Sequence, residues 1–274
     1  MKMDVIYCNG CSHSAGGGME LDRKLDDESI TIREYYKSTY NVWWNNQIDV
    51  TYSKHLANLM NVECINEAAS GGGSGRVIRM AYDFVKKNWS KKDKLFLILE
   101  LPSLGRLDLW SNLLNDYFIL NLEFKNQEYS DNSILSLFVT KKYYSDDTQS
   151  DNTKLSFGIN QYHKLFFDKK DEYKKITREI NTFLTYLKYH NIKFIFFDGE
   201  FGGSIDSDIK KTNMIDIKVG NMSIHDFHEY AIQSKGTLAE ETDMRFMDLH
   251  PGYFCHQNFA KDLYSYINEN YEKL

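Results

Sequence analysis

Four short stretches of the chain are nearly continuous in apolar residues: Asp4 to Cys8, Val62 to Ile65, Leu95 to Leu99 and Lys193 to Phe197. A strand covered on one face alternates apolar and polar side chains, whereas one covered on both faces reads as an unbroken apolar run. These four therefore predict parallel core strands. Other segments carry the helical period: Val77, Ile78, Ala81, Phe84 and Val85; Ile176, Ile180, Phe183, Leu184 and Leu187; and Phe259, Leu263 and Ile267. Strands alternating with helices predict an α/β fold in which helices cover a parallel sheet. Arg245 to Asp248 is a weaker candidate for a last strand.

Two stretches break this rhythm. Residues 20–48 are charged and then aromatic, ending in Tyr40-Asn41-Val42-Trp43-Trp44, and residues 111–165 hold short aromatic runs such as Tyr117-Phe118-Ile119-Leu120. Both read as insertions, either walls of a ligand crevice at the carboxyl ends of the strands or covers for a sheet edge or an oligomer contact. With 274 residues, 42% hydrophobic, and two prolines, Pro102 and Pro251, the chain has the core of one large domain or two small ones and no low-complexity linker. One domain spanning 1–274 is expected.

A formal net charge of -6 supplies no global positive field for nucleic acid or an anionic membrane, and neither partner is expected. No run approaches the ~18 apolar residues of a membrane span, and the N-terminus lacks the apolar stretch of a secretory signal, so a cytoplasmic protein is expected. Cys8, Cys11, Cys64 and Cys255 are too scattered for a disulfide framework and are read as reduced thiols.

Candidate chemistry lies where strands end. Gly10-Cys11-Ser12 follows the first strand, which places Ser12 at the sheet's carboxyl edge, with Gly16-Gly17-Gly18 beyond it. The second strand leads into Asn66-Glu67-Ala68-Ala69-Ser70-Gly71-Gly72-Gly73-Ser74-Gly75 before a helix. Amides at such a helix start stabilise negative charge, as an oxyanion hole or a phosphate cradle, or the segment is a plain glycine turn. The Gly-Lys-Ser/Thr of a nucleotide-binding loop is absent, which favours the oxyanion role. Glu100-Leu101-Pro102-Ser103-Leu104-Gly105-Arg106-Leu107-Asp108 ends the third strand. Ser103 and Arg106 are candidate donors to an anionic intermediate, with Glu100 orienting one of them; the alternative is an arginine paired structurally with Asp108 or Glu100. Near the other end, His250 is held out of helical geometry by Pro251, and Asp248 lies two residues before it.

A serine hydroxyl becomes a good nucleophile when an imidazole takes its proton and a carboxylate fixes that imidazole's tautomer. Gly10-Cys11-Ser12, Asn66-x-Ala-x-Ser70-Gly71 and Asp248-x-His250-Pro251, with His256 and Ala260 beyond, together resemble the SGNH hydrolases, or GDSL-like esterases. The resemblance implies a flavodoxin-like three-layer α/β/α sandwich and a metal-free, cofactor-free ester hydrolase acting through an acyl-serine. It implies Ser12 as nucleophile and oxyanion amide, Gly71 as second oxyanion amide, and His250 with Asp248 as base and orienting acid. Cys11 stands where the family has Asp, the Gly-x-Asn-Asp block after strand three is replaced by Glu100 to Asp108, and Met247 occupies the family's Asp position three residues before the histidine. Either Ser103 or Arg106 stands in for the missing asparagine donor, or the fold has lost hydrolase efficiency. The expected substrate is an acyl ester, such as an acetyl ester, of a small molecule or carbohydrate.

Two rival readings rest on other residues. Cys8-Asn9-Gly10-Cys11 has zinc or redox spacing, and His225 and His228 are three apart on an expected helix; packed thiols and a solvated helix face are the plainer readings. The other rival is a catalytically idle domain of the same fold that binds carbohydrate or a protein partner through aromatic residues such as Tyr35, Tyr36, Trp43 and Trp44.

Overall fold

A computed structural model describes residues 3–16, 48–69, 72–102, 106–112, 116–121, 165, 168–198, 205–234 and 251–271. In chain order its elements begin with β1 (Val5–Asn9), α1 (Ser12–Ala15), α2 (Tyr52–Met60), β2 (Glu63–Asn66), α3 (Ser74–Lys87) and β3 (Leu95–Leu101). They continue with β4 (Arg106–Ser111), β5 (Asp116–Asn121), α4 (Lys169–Tyr189), β6 (Lys193–Asp198) and α5 (Ser207–Asn213). The described chain closes with β7 (Ile217–Val219), β8 (Met222–Ile224), α6 (Phe227–Gln233) and α7 (Tyr253–Tyr271).

All four apolar runs are strands, and they form one parallel sheet in the order β2-β1-β3-β6. Register places Cys8 beside Asn66 and Ile98, and Leu99 beside Phe196. Successive side chains in a strand point to opposite faces, which divides the core in two. Tyr7, Leu95, Leu97, Leu99, Phe194 and Phe196 pack under α3 and α4 on one side. Ile6, Cys8, Phe96, Ile98, Ile195 and Phe197 pack under α2, α6 and α7 on the other. The result is a three-layer α/β/α arrangement, and each fully buried Leu, Ile or Phe contributes about 1.5–3 kcal/mol of apolar burial to it.

The helices form where the apolar period meets an end signal. Asp168 starts α4 by accepting the Asp171 amide at 2.9 Å, and Asp226 starts α6 by accepting that of Glu229 at 2.5 Å. Lys86 and Lys87 complement the carbonyl end of α3. Met214, just past α5, bridges Phe196 in the parallel sense and so covers part of the β6 edge.

After β3, Arg106–Ser111 pairs antiparallel with Asp116–Asn121 as a separate two-stranded sheet. Leu107 and Leu109 flank Asp108, a short alternation that the neighbouring charges obscured. His225 precedes α6 and its Nδ1 lies 2.8 Å from the Ile215 carbonyl, so it does not share a helix with His228. Residues 20–47, with Tyr35, Tyr36, Trp43 and Trp44, most of 111–165, and the candidate strand Arg245 to Asp248 lie outside the described residues. Among those described, no helix is long and apolar enough to cross a membrane.

Candidate active site

β1 lies between β2 and β3, so the chain leaves it to one side and later returns on the other. The connections after β1 and β3 diverge at such a switch point and open a crevice at the carboxyl ends of these strands, where ligands bind in open α/β sheets. The buried polar residues gather at this edge, among them Asn9 and Asn66 at strand ends, Glu100 near one, and Ser74 and His256 at helix starts. Buried polar groups are costly unless hydrogen-bonded, and these are bonded largely to one another.

Ser12 opens α1 at this edge. The segment around it is held from several sides. Glu100, 3% exposed, accepts the Cys11 amide at 3.0 Å and the Ser14 amide at 3.2 Å on Oε2, and the Cys11 thiol at 2.9 Å on Oε1. Asn66 Nδ2 donates to the Ser14 carbonyl at 2.9 Å, and the Ser14 hydroxyl meets the Tyr52 hydroxyl at 2.9 Å. Burial pushes the Tyr52 phenol well above its ordinary pKa, so it remains a protonated hydroxyl. Gly16 ends α1 with a φ of 77°, a conformation that favours glycine.

The glycine-rich segment after β2 leans on the same turn. Ala69 donates its amide to the Gly10 carbonyl at 3.2 Å, and a Cβ on Gly72 would come 2.8 Å from that carbonyl oxygen. On the next residue, Gly73, a Cβ would stand 2.4 Å from the Arg106 carbonyl oxygen. That obstacle is backbone and has no rotamer to escape into. Gly73→Ala is expected to destabilise the chain by about 1–3 kcal/mol, read as a lower urea midpoint; an unchanged midpoint would show that β4 shifts freely.

Arg106 stands at the start of β4 beside Gly73, and its Nε is buried with no hydrogen-bond partner among the described residues. Asp108 pairs with Arg79 instead, at 2.8 Å and 3.0 Å. Arg76, in the first turn of α3, donates to the Asn9 side chain at 3.2 Å and the Glu67 carbonyl at 2.9 Å. Glu67 accepts the Tyr7 hydroxyl at 2.7 Å, and burial, with that carboxylate, raises the Tyr7 pKa. Gly71, Ser103, Asp248 and His250 lie outside the described residues, as does the Ser12 side chain.

The first turn of α7, which follows His250 and Pro251, comes to the same place. His256 is fully buried and its Nδ1 accepts the Tyr52 amide at 3.0 Å, so the neutral ring carries its proton on Nε2. Its ring stacks on that of Tyr52 with centroids 5.9 Å apart. Ser14, Tyr52 and His256 thus link the turn after β1 to the start of α7. Asn66 and His256 stand in the motifs quoted from the sequence, whereas Tyr52 and the inward-turned Ser14 hydroxyl were given no part in this edge. The available signal was a polar residue interrupting or closing an apolar run, as Glu100 does in β3.

Cys8 is buried in β1 and Cys64 half-buried in the adjacent β2, the neighbouring-strand placement expected for packed thiols. Burial raises the Cys8 pKa well above the ordinary thiol range, which keeps it in its unreactive form. Among the described residues no three His, Cys, Asp or Glu side chains converge as a metal site.

No protein-family model matches the chain, and no curated protein matches it. Among solved structures, the psychrotrophic esterase EstA from Pseudoalteromonas sp., inhibited by monoethylphosphonate, is similar with a TM-score of 0.44 and 12% identity over 97% of this chain and 97% of that one.

Proposed function

We propose that this chain is a serine ester hydrolase of the SGNH type, a single domain that cleaves an acyl ester of a small molecule or carbohydrate through an acyl-serine. The observation that carries the reading is the bonded series from Ser14 through Tyr52 to His256. It ties the segment holding Ser12 to the helix start that directly follows Asp248-Leu249-His250-Pro251. Support also comes from the place of Ser12 at the β1/β3 switch point, beside a glycine-rich helix start.

In this mechanism Ser12 Oγ attacks the ester carbonyl as His250 takes its proton, and Asp248 stabilises the imidazolium. The oxyanion is held by the amides of Ser12 and Gly71, with Ser103 or Arg106 as a further donor. Arg106 Nε, buried without a hydrogen-bond partner among the described residues, favours Arg106 for that part. Losing one such donor costs about 3 kcal/mol of barrier. The imidazolium then protonates the leaving alcohol, water attacks the acyl-serine with His250 again as base, and Ser12 is regenerated with release of the acid.

The test is a fluorophosphonate probe with mass spectrometry of the modified residue: a covalent adduct on Ser12 is the expected result, and a chain left unmodified would sink the reading. A histidine base works unprotonated, so turnover is expected to rise with pH through the ordinary imidazole value of about 6.5. A flat profile from about pH 5 to 8 would count against His250 as the base.

A second reading, a non-catalytic binding domain, is favoured by a groove of about 580 Å³ between α3 and α4, walled by Ile78, Tyr82, Phe183 and Tyr186. The same probe separates the two readings, since a binding domain has no activated serine.

A further inference from the structure

The geometry points to Glu100 as the positioning residue of the nucleophile turn, a clamp that sets the backbone on both sides of Ser12 through one carboxylate oxygen. This rests on the proposal that Ser12 is the nucleophile. The apolar pattern of β3 breaks near its end. β3 sends Phe96 and Ile98 into the core beneath α2 and α7, and the next side chain on that face is Glu100, 3% exposed. An ionised carboxylate at such a site is costly to desolvate unless strong donors surround it.

The donors it has are specific. The Cys11 and Ser14 amides both point at Oε2, at 3.0 Å and 3.2 Å, and the Cys11 thiol at Oε1, at 2.9 Å. One amide lies a residue before Ser12 and the other two residues after it. Amides at a helix start have no partner within the helix, and a helix of four residues does not hold itself together in water. An acceptor reaching in from β3 supplies what α1 lacks.

Gly10 shows how tightly the turn is drawn. A Cβ there would stand 2.4 Å from Glu100 Oε2, 2.6 Å from Glu100 Cβ and 2.8 Å from Ser14 Oγ. The chain can reach Glu100 with both amides because residue 10 has no side chain. Gly10 and Glu100 form a matched pair, and the clamp acts on Ser12 through its neighbours.

Because both amides share one oxygen, glutamine can reproduce the grip with its carbonyl oxygen while discarding the charge, whereas alanine removes both. The experiment uses the full chain and compares Glu100→Gln and Glu100→Ala with native protein. The readouts are hydrogen exchange at the Cys11 and Ser14 amides, the rate of fluorophosphonate labelling at Ser12, and circular dichroism to establish folding.

The expected result for Glu100→Ala is exchange at both amides at least tenfold faster and labelling at least tenfold slower. Glu100→Gln is expected to restore slow exchange and to label within about threefold of native. Native-rate labelling in Glu100→Ala would overturn the clamp. So would Glu100→Gln labelling as slowly as alanine with both amides still protected, since charge and not grip would then be at work. If Glu100→Ala fails to fold, the glutamine comparison alone decides. If native protein is not labelled at all, the hydrolase reading falls, and the clamp is judged by exchange: protected amides in native and glutamine proteins support it, and unprotected amides in native protein overturn it.

Discussion

Replacing Ser12 by alanine is expected to lower turnover of acetyl and short-chain esters by at least about a thousandfold and to abolish fluorophosphonate labelling, with no loss of fold. Removing the nucleophile of an acyl-enzyme mechanism leaves only what binding and the oxyanion donors provide. The comparison with Ser14 makes the prediction sharp, because Gly10-Cys11-Ser12-His13-Ser14 offers two serines at the end of one strand. Ser14 is fully buried and its hydroxyl is engaged by Tyr52, which leaves it no access to an ester. Ser14→Ala therefore retains labelling at Ser12. Equal ester turnover by native protein and Ser12→Ala, measured across the panel, would end the hydrolase proposal.

Tyr52→Ala is expected to be the most damaging single change to stability, at about 3–5 kcal/mol, the usual cost of removing a buried aromatic ring. The Tyr52 ring contacts Phe197, Phe227 and Phe259 edge-on at centroid distances of 5.9, 5.1 and 5.2 Å, and it stacks on His256. It thereby joins the sheet to α6 and α7. Tyr52→Phe keeps all of these contacts and loses the hydroxyl, leaving the buried Ser14 hydroxyl without that partner, at about 1–2 kcal/mol. Urea unfolding with an unchanged slope distinguishes the two. Similar midpoints for the two variants would mean that the ring contacts contribute little.

The layer structure was legible in the sequence. Asp4 to Cys8, Leu95 to Leu99 and Lys193 to Phe197 are strands within a residue or two because a strand covered on both faces must be apolar along its length. Val77, Ala81, Phe84 and Val85 mark α3, because a helix against a sheet buries one stripe. α2 escaped notice. Its buried Tyr52, Leu56 and Ala57 have helical spacing, but Lys54 and His55 and an aromatic segment just upstream masked the stripe. The β4–β5 pair was hidden similarly, since Arg106 and Asp108 mark a polar cluster in the sequence, whereas in the structure Asp108 is paired with Arg79 of α3.

What the sequence determined by itself was the alternation of strand and helix, the place of Ser12 after the first strand, and the burial of Cys8. Each follows from the spacing of apolar side chains within a window of a few residues, a local property. Tertiary structure alone decided that Glu100 faces the Ser12 turn, that Ser14 turns inward to Tyr52, and that the His256 ring is spent on the Tyr52 amide 204 residues away. Those partners are chosen by strand order and by which carbonyls, amides and hydroxyls are left unsatisfied when the layers close. No local pattern encodes that accounting, because it exists only once distant elements have removed water from the same small space.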